Sequence, residues 1–182
     1  MKNITTERLV LKEINQNDYS EMKTILQDEK LMLVGWGKTY SDKEVHAWID
    51  KIIKQYDEFG YSYYLAIEKS SKKVVGLMGI LPVNIKNTDY IEIAYILKEE
   101  FWGKGYATEM TKSCVDYIFN AINADMYIAQ VIPENTSSIK VVERLGMEIT
   151  DYYFRNQNGK NVFHLIYALT KDKYMKNDND FD

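Results

Sequence analysis

The stretch that most constrains this chain is LKEEFWGKGYATE at residues 97–109. A strand ends there, a loop carrying two glycines follows, and a long amphipathic helix begins. Along residues 104–122, Ala107, Met110, Cys114, Tyr117, Ile118 and Ala121 share one side. Gly103 and Gly105 lack Cβ atoms, so a ligand can approach their backbone closely. The first amides of a helix have no partner inside it and sit at the positive end of its dipole. A pyrophosphate suits that place, and Thr108 adds a hydroxyl donor. The other reading is a tight turn closed by glycine packing. Two other phosphate loops are excluded. No Gly-Lys-Ser/Thr follows a four-residue spacer, and Thr108 stands where a dinucleotide fingerprint needs its third glycine.

The flanking pattern predicts one α/β (α+β) domain in the order βααβββαβαββ. Strands are expected at 7–14, 61–68, 73–82, 89–97, 126–132, 148–156 and 161–169, the last pair flanking the hairpin dipeptide Asn158-Gly159. Helices are expected at 17–28, capped by Asn17 or Asp18, and from the Ser41/Glu44 capping box to Phe59-Gly60. Two more follow at 104–122 and at 136–145, the last stopped by Gly146. Residues 29–40 read as a loop with Trp36 between Gly35 and Gly37. The result is a mixed central sheet of about seven strands flanked by about four helices. Helix-linked strands such as 89–97 and 126–132 should run parallel. The domain is expected over 1–170, with 171–182 a polar, frayed tail.

Composition narrows the function classes. A net charge of −4 and a pI near 5.3 argue against a nucleic-acid partner, which calls for a basic face. No stretch approaches 18 continuous apolar residues, and the opening MKNITTERLVLKEI lacks the apolar core of a signal peptide. The single cysteine, Cys114, cannot form an internal disulfide and lies on the apolar stripe of its helix. These features point to a cytoplasmic protein with no membrane partner. His46 and His164 stand far apart without cysteine partners, so no metal site is expected.

Several segments carry a resemblance to one family. WGKGYATE at 102–109 resembles the acetyl-CoA loop of the GNAT superfamily of N-acetyltransferases, whose Gln/Arg-x-x-Gly-x-Gly/Ala pattern falls on Trp102, Gly105 and Ala107. Trp102 departs from the usual Gln/Arg, as is common in the branch resembling ribosomal-protein N-terminal (alanine/serine) acetyltransferases. PENTSSIKVVERLGM at 133–147 resembles that branch's Asn-x-x-Ser…Gly-Phe segment on Asn135, Ser138 and Gly146, with Met147 replacing Phe. TERLVLKEI near the start and EIAY at 92–95 resemble its opening and its catalytic strand. The resemblance spans nearly the whole chain in the right order.

It implies a GNAT fold whose sheet splays between strands 89–97 and 126–132. The pantetheine arm of acetyl-CoA, the co-substrate, would lie in that gap and pair with the backbone of Tyr95, Ile96 and Leu97. The amides of Gly103, Lys104, Gly105, Tyr106, Ala107 and Thr108 would hold the pyrophosphate, with the Lys104 charge nearby. Asn135 and Ser138 would contact coenzyme A. An amine would attack the thioester directly within a ternary complex. Glu92, a carboxylate placed mid-strand between Ile91 and Ile93, is the candidate base. The backbone N–H near Tyr95 is the candidate oxyanion donor. Trp36 would line the acceptor pocket beside Glu92. Some family members carry a tyrosine acid where this chain has Val142, so the thiolate needs another proton source. The first-choice acceptor is a protein N-terminal α-amine. The alternatives are a small amine (polyamine, aminoglycoside or amino-acid derivative) and a non-catalytic acyl-CoA-binding module. A nucleotide-dependent oxidoreductase is a more distant option. A homodimer through an edge strand is compatible with this fold.

Overall fold

The computed structural model describes residues 3–179. It contains eight strands and six α-helices among the described residues: β1 (Ile4–Thr5), β2 (Leu9–Glu13), α1 (Tyr19–Leu26), α2 (Glu29–Gly35), α3 (Asp42–Phe59), β3 (Tyr63–Glu68), β4 (Val74–Ile85), β5 (Thr88–Leu97), α4 (Tyr106–Tyr117), β6 (Met126–Val131), α5 (Thr136–Arg144), β7 (Glu148–Gln157), β8 (Lys160–Thr170) and α6 (Lys171–Asn179). The expected class holds: one mixed sheet flanked by helices. Its order is β1-β2-β3-β4-β5-β6-β8-β7, and only β5 and β6 are parallel neighbours.

Local chemistry explains most boundaries. Ser41 and Glu44 form the anticipated capping box at the head of α3, and Gly60 ends it at φ 79°. Gly146 (φ 75°) stops α5. Asn158 (φ 52°) and Gly159 (φ 81°) make the β7–β8 turn, in the left-handed region such a two-residue turn requires.

Four features correct the sequence reading. First, residues 29–40 are not all loop: Asp28 accepts a hydrogen bond from the Leu31 amide at 3.1 Å and caps α2, which buries Leu31 and Met32. Second, Asp18 stands at the N-cap of α1 as expected but makes no capping bond there; a 3-10 turn, Gln16–Asp18, precedes it and is capped by Asn15, which accepts from the Asn17 amide while Asp18 accepts from the Asn15 amide. Third, α4 starts at Tyr106 rather than 104, and a π-helical turn, Ile118–Ile122, completes it. Fourth, residues of the presumed frayed tail form α6, where the Tyr174 ring packs 5.0 Å from that of Phe119 and its hydroxyl donates to Asp116. The extra strand is β1, which pairs Ile4 with Leu11.

The sheet divides the core. One face packs Ile93, Met110, Cys114 and Val142 under α4 and α5. The other packs Met22, Ile49, Tyr63 and Ile96 under α1, α2 and α3. No helix of the described residues is long and apolar enough to cross a membrane.

Candidate active site

The decisive feature is the junction of β5 and β6. β5 has ten residues and β6 six, yet only Glu92 and Ile128 stand in register. Beyond Glu92 the strands part. The backbone of β5 shows what faces the gap. The Lys98 amide donates to Val75 on β4, and the Ile96 carbonyl points at Gly76, where an added Cβ would lie 2.0 Å from it. Backbone groups alternate sides along a strand, so those of Tyr95 and Leu97 face the gap. The Leu97 carbonyl there accepts from the Trp102 indole at 2.8 Å.

Two cavities meet at this opening. The larger, about 660 Å³, runs along Tyr95, Ile96 and Leu97 to Gly103, Gly105, Tyr106, Ala107 and Thr108, and is closed by Asn135 and Ser138 on α5. Gly103 and Gly105 have φ 71° and 79°, which a Cβ would strain. Glu109 is the first amide of α4 bonded back along the helix, to the Gly105 carbonyl at 3.1 Å. The amides of 106, 107 and 108 therefore end the helix with no acceptor in it. Lys104 does not line this cavity. Its carbonyl accepts from Arg8 at 2.9 Å, and its ammonium lies 5.3 Å from the centre of the Phe101 ring. The cations that do line it are Lys30, Lys140 and Arg144, which the sequence reading missed. Lys140 and Arg144 are four apart on α5 and so share a face. Asn135 accepts from the Ser138 amide at 3.1 Å and the Ser137 hydroxyl at 2.9 Å, which fixes the head of α5.

The second cavity, about 350 Å³, contains Glu92 with Trp36, Trp48, Tyr63, Gln130, Arg155 and His164. Glu92 is 7% exposed. Burial pushes its carboxyl up to about 7, against the Arg155 charge and hydrogen bonds from the side chain and backbone of Gln130. Tyr153 donates to the Gln130 side-chain oxygen, leaving the amide nitrogen free to face Glu92. Burial also lowers His164, favouring its neutral form. Val142 lines this cavity, as does Tyr95, whose phenol donates to Ser138 at 3.1 Å. Burial raises that phenol. Tyr95, Asn135, Ser138, Gly35 and Trp36 line both cavities.

Trp36 is thus placed at the junction, on the C-cap of α2. The β7–β8 turn holds its loop: Gln157 donates to the Gly35 carbonyl at 3.0 Å and Asn158 to that of Gly37 at 3.2 Å.

A splayed parallel pair, a bare helix end beside it and a buried carboxylate at the vertex define an acyl-CoA-dependent transferase. Residues 8–148 match the family described as Acetyltransferase (GNAT) domain, and the chain belongs to that family. It is an N-acetyltransferase that depends on acetyl-CoA. The chain is 27% identical to the uncharacterized N-acetyltransferase p20 of Bacillus licheniformis, over 96% of this chain and 99% of that one. It is 20% identical to the [ribosomal protein uS5]-alanine N-acetyltransferase of Escherichia coli, over 92% and 90%. Its fold resembles that of spermidine N-acetyltransferase from Vibrio cholerae in complex with CoA and spermine, with a TM-score of 0.76, 19% identity, and 92% and 98% of the chains covered.

Proposed function

We propose that this enzyme acetylates a primary α-amine, with Glu92 as its base. The observation that carries this reading is the buried Glu92 carboxyl, titrating at about 7, on the cavity that meets the cofactor cleft at the strand gap. An α-amine is less basic than a lysine-type amine, with a pKa near 8 in peptides against about 10.4, so more of it reaches the site neutral and ready to attack, and the base then has one proton to take. In this reading Glu92 takes the proton lost as the N–C bond forms. The Tyr95 amide, facing the gap, donates to the carbonyl oxygen as charge develops there. As the C–S bond breaks, the Tyr95 hydroxyl gives its proton to the sulfur. Ser138 then donates to the phenolate, reversing the hydrogen bond it now accepts. Tyr95 thereby replaces the acid that Val142 cannot supply. The pyrophosphate lies on the amides of 106–108, with Lys140 and Arg144 adding charge.

The uS5-alanine enzyme and the spermidine enzyme act on a protein and on a small amine by their names, so the family alone does not choose between acceptors. Free thiol released from acetyl-CoA, measured with N-terminal peptides, amino acids and polyamines, tests the reading. Turnover with at least one α-amine is expected. Tyr95→Phe should lower kcat by about 100-fold or more, the low end of what a positioned acid contributes, and leave coenzyme A affinity within twofold. Tight coenzyme A binding with no turnover of any amine would instead identify a binding module.

A further inference from the structure

The acceptor cavity has an unusual charge balance. Among the described residues Glu92 is the only acidic one that lines it, at the floor, while Arg155 and Lys51 are exposed at its mouth. Neither cation belongs to any ion pair among the described residues. Arg155 lines the cavity, and its charge reaches Tyr40, Tyr63, Glu92, Tyr153 and His164. The nearby Glu44 offers no compensation, since its carboxylate is held by Lys38 and Ser41. A polyamine placing one nitrogen at Glu92 would bring its other charges against Arg155 and Lys51.

The walls are aromatic. Trp48 stacks on Tyr63 with ring centres 5.3 Å apart and meets the Tyr40 ring edge-on at 5.4 Å. Lys38 already sits 4.6 Å from the centre of the Tyr40 ring. These rings present apolar surface and little free face for a further cation. The volume, about 350 Å³, suits one small molecule.

We infer that the acceptor is a free α-amino acid with an apolar or aromatic side chain, its amine at Glu92, its carboxylate at Arg155 and its side chain against Trp48 and Tyr63. This rests on the acetyl-transfer reading of the same site and narrows it. Arg155 would be a specificity residue that touches the substrate, by a charge-assisted hydrogen bond to carboxylate.

Thiol release from acetyl-CoA would be compared for tryptophan, tryptophanamide, tryptamine and spermidine, with the full chain and with Arg155→Gln. In the unaltered protein, kcat/KM for tryptophan should exceed that for tryptamine and tryptophanamide by about 10–100-fold, the worth of a hydrogen bond to a charged group. Spermidine should be poorer than tryptophan. In Arg155→Gln the preference should fall to within about threefold, with coenzyme A affinity unchanged. Arg155→Lys should keep part of it, as a cation without the planar fork. Turnover of tryptamine or spermidine equal to that of tryptophan, or a preference that survives Arg155→Gln, would overturn this inference alone. No turnover of any amine despite coenzyme A binding would overturn the acetyl-transfer reading with it.

Discussion

Glu92→Gln separates catalysis from stability in one variant, because the same burial controls both. Glutamine keeps the shape of the side chain and can still accept hydrogen bonds from Gln130, but it cannot hold a proton as a base. The loss of a positioned base costs about 10²–10⁴-fold in kcat. The pH profile should change as well: the unaltered enzyme gains activity as Glu92 ionises near 7, and the variant has no such rise. Using one acceptor for both proteins removes the acceptor's own titration from the comparison. Stability should move the other way. The folded carboxyl titrates at about 7 and the unfolded one at 4.5. Between those values the folded state binds the proton and the unfolded state does not, so stability falls as pH rises through that window and then levels off. At about 1.4 kcal/mol per pH unit, the loss is roughly 3 kcal/mol. Urea unfolding should therefore find the two proteins about equally stable at pH 4 and Glu92→Gln more stable by roughly 3 kcal/mol at pH 8.5. A variant with kcat within threefold of the parent, or no gain in stability at pH 8.5, would refute the assignment of a buried base.

Two further substitutions probe the frame around it. Gly76→Ala drives a Cβ to within 2.0 Å of the Ile96 carbonyl, so β4 and β5 must separate where the cofactor cleft begins; thermal unfolding should register a loss of about 1–3 kcal/mol, and a loss below 0.5 kcal/mol would mean the strands yield freely. Lys140→Ala with Arg144→Ala should weaken coenzyme A by about 10-fold at low salt and by less in high salt, while pantetheine, which lacks the phosphates, binds as before. Calorimetry with both ligands distinguishes this from general damage to α5.

How far the sequence discloses these features depends on how local their causes are. The Ser41/Glu44 box, Gly146 and Asn158-Gly159 each act within a few residues, and each appears in the structure where the sequence puts it. The Gly103/Gly105 loop is equally local. α2 is less readable because it is seven residues long, too short for a hydrophobic period to stand out, and its cap, Asp28, also ends the preceding helical pattern. α6 is a polar helix on its own terms, held by tertiary contacts such as Tyr174 on Phe119. Arg155 carries no local signal, since an arginine on an exposed strand reads as solvated. Only the β6-β8-β7 order, with the β7–β8 turn hydrogen-bonded to the Gly35 and Gly37 carbonyls, brings it over the cavity. Lys104 is the reverse case: its position in the motif suggests phosphate, while its ammonium turns toward Phe101.

The parity of β5 explains why the splay matters for chemistry. Glu92 and Tyr95 are three residues apart, so their side chains emerge on opposite faces of the sheet. Glu92 looks toward the α3 side with Tyr63, and Tyr95 toward α5, where it meets Ser138. In a closed sheet a base and an acid so placed would be separated by the backbone of the next strand. Here β6 stands in register only with Glu92, and the cavity around Glu92 draws walls from both cores, Trp48 and Tyr63 from one and Val131 and Val142 from the other. In the proposed mechanism a substrate held in the opening is deprotonated from one face and releases its leaving group toward the other. A hydrophobic residue pair added to β5 and β6 beyond Glu92, closing the strands, would abolish turnover while leaving Glu92, Tyr95 and the head of α4 in place.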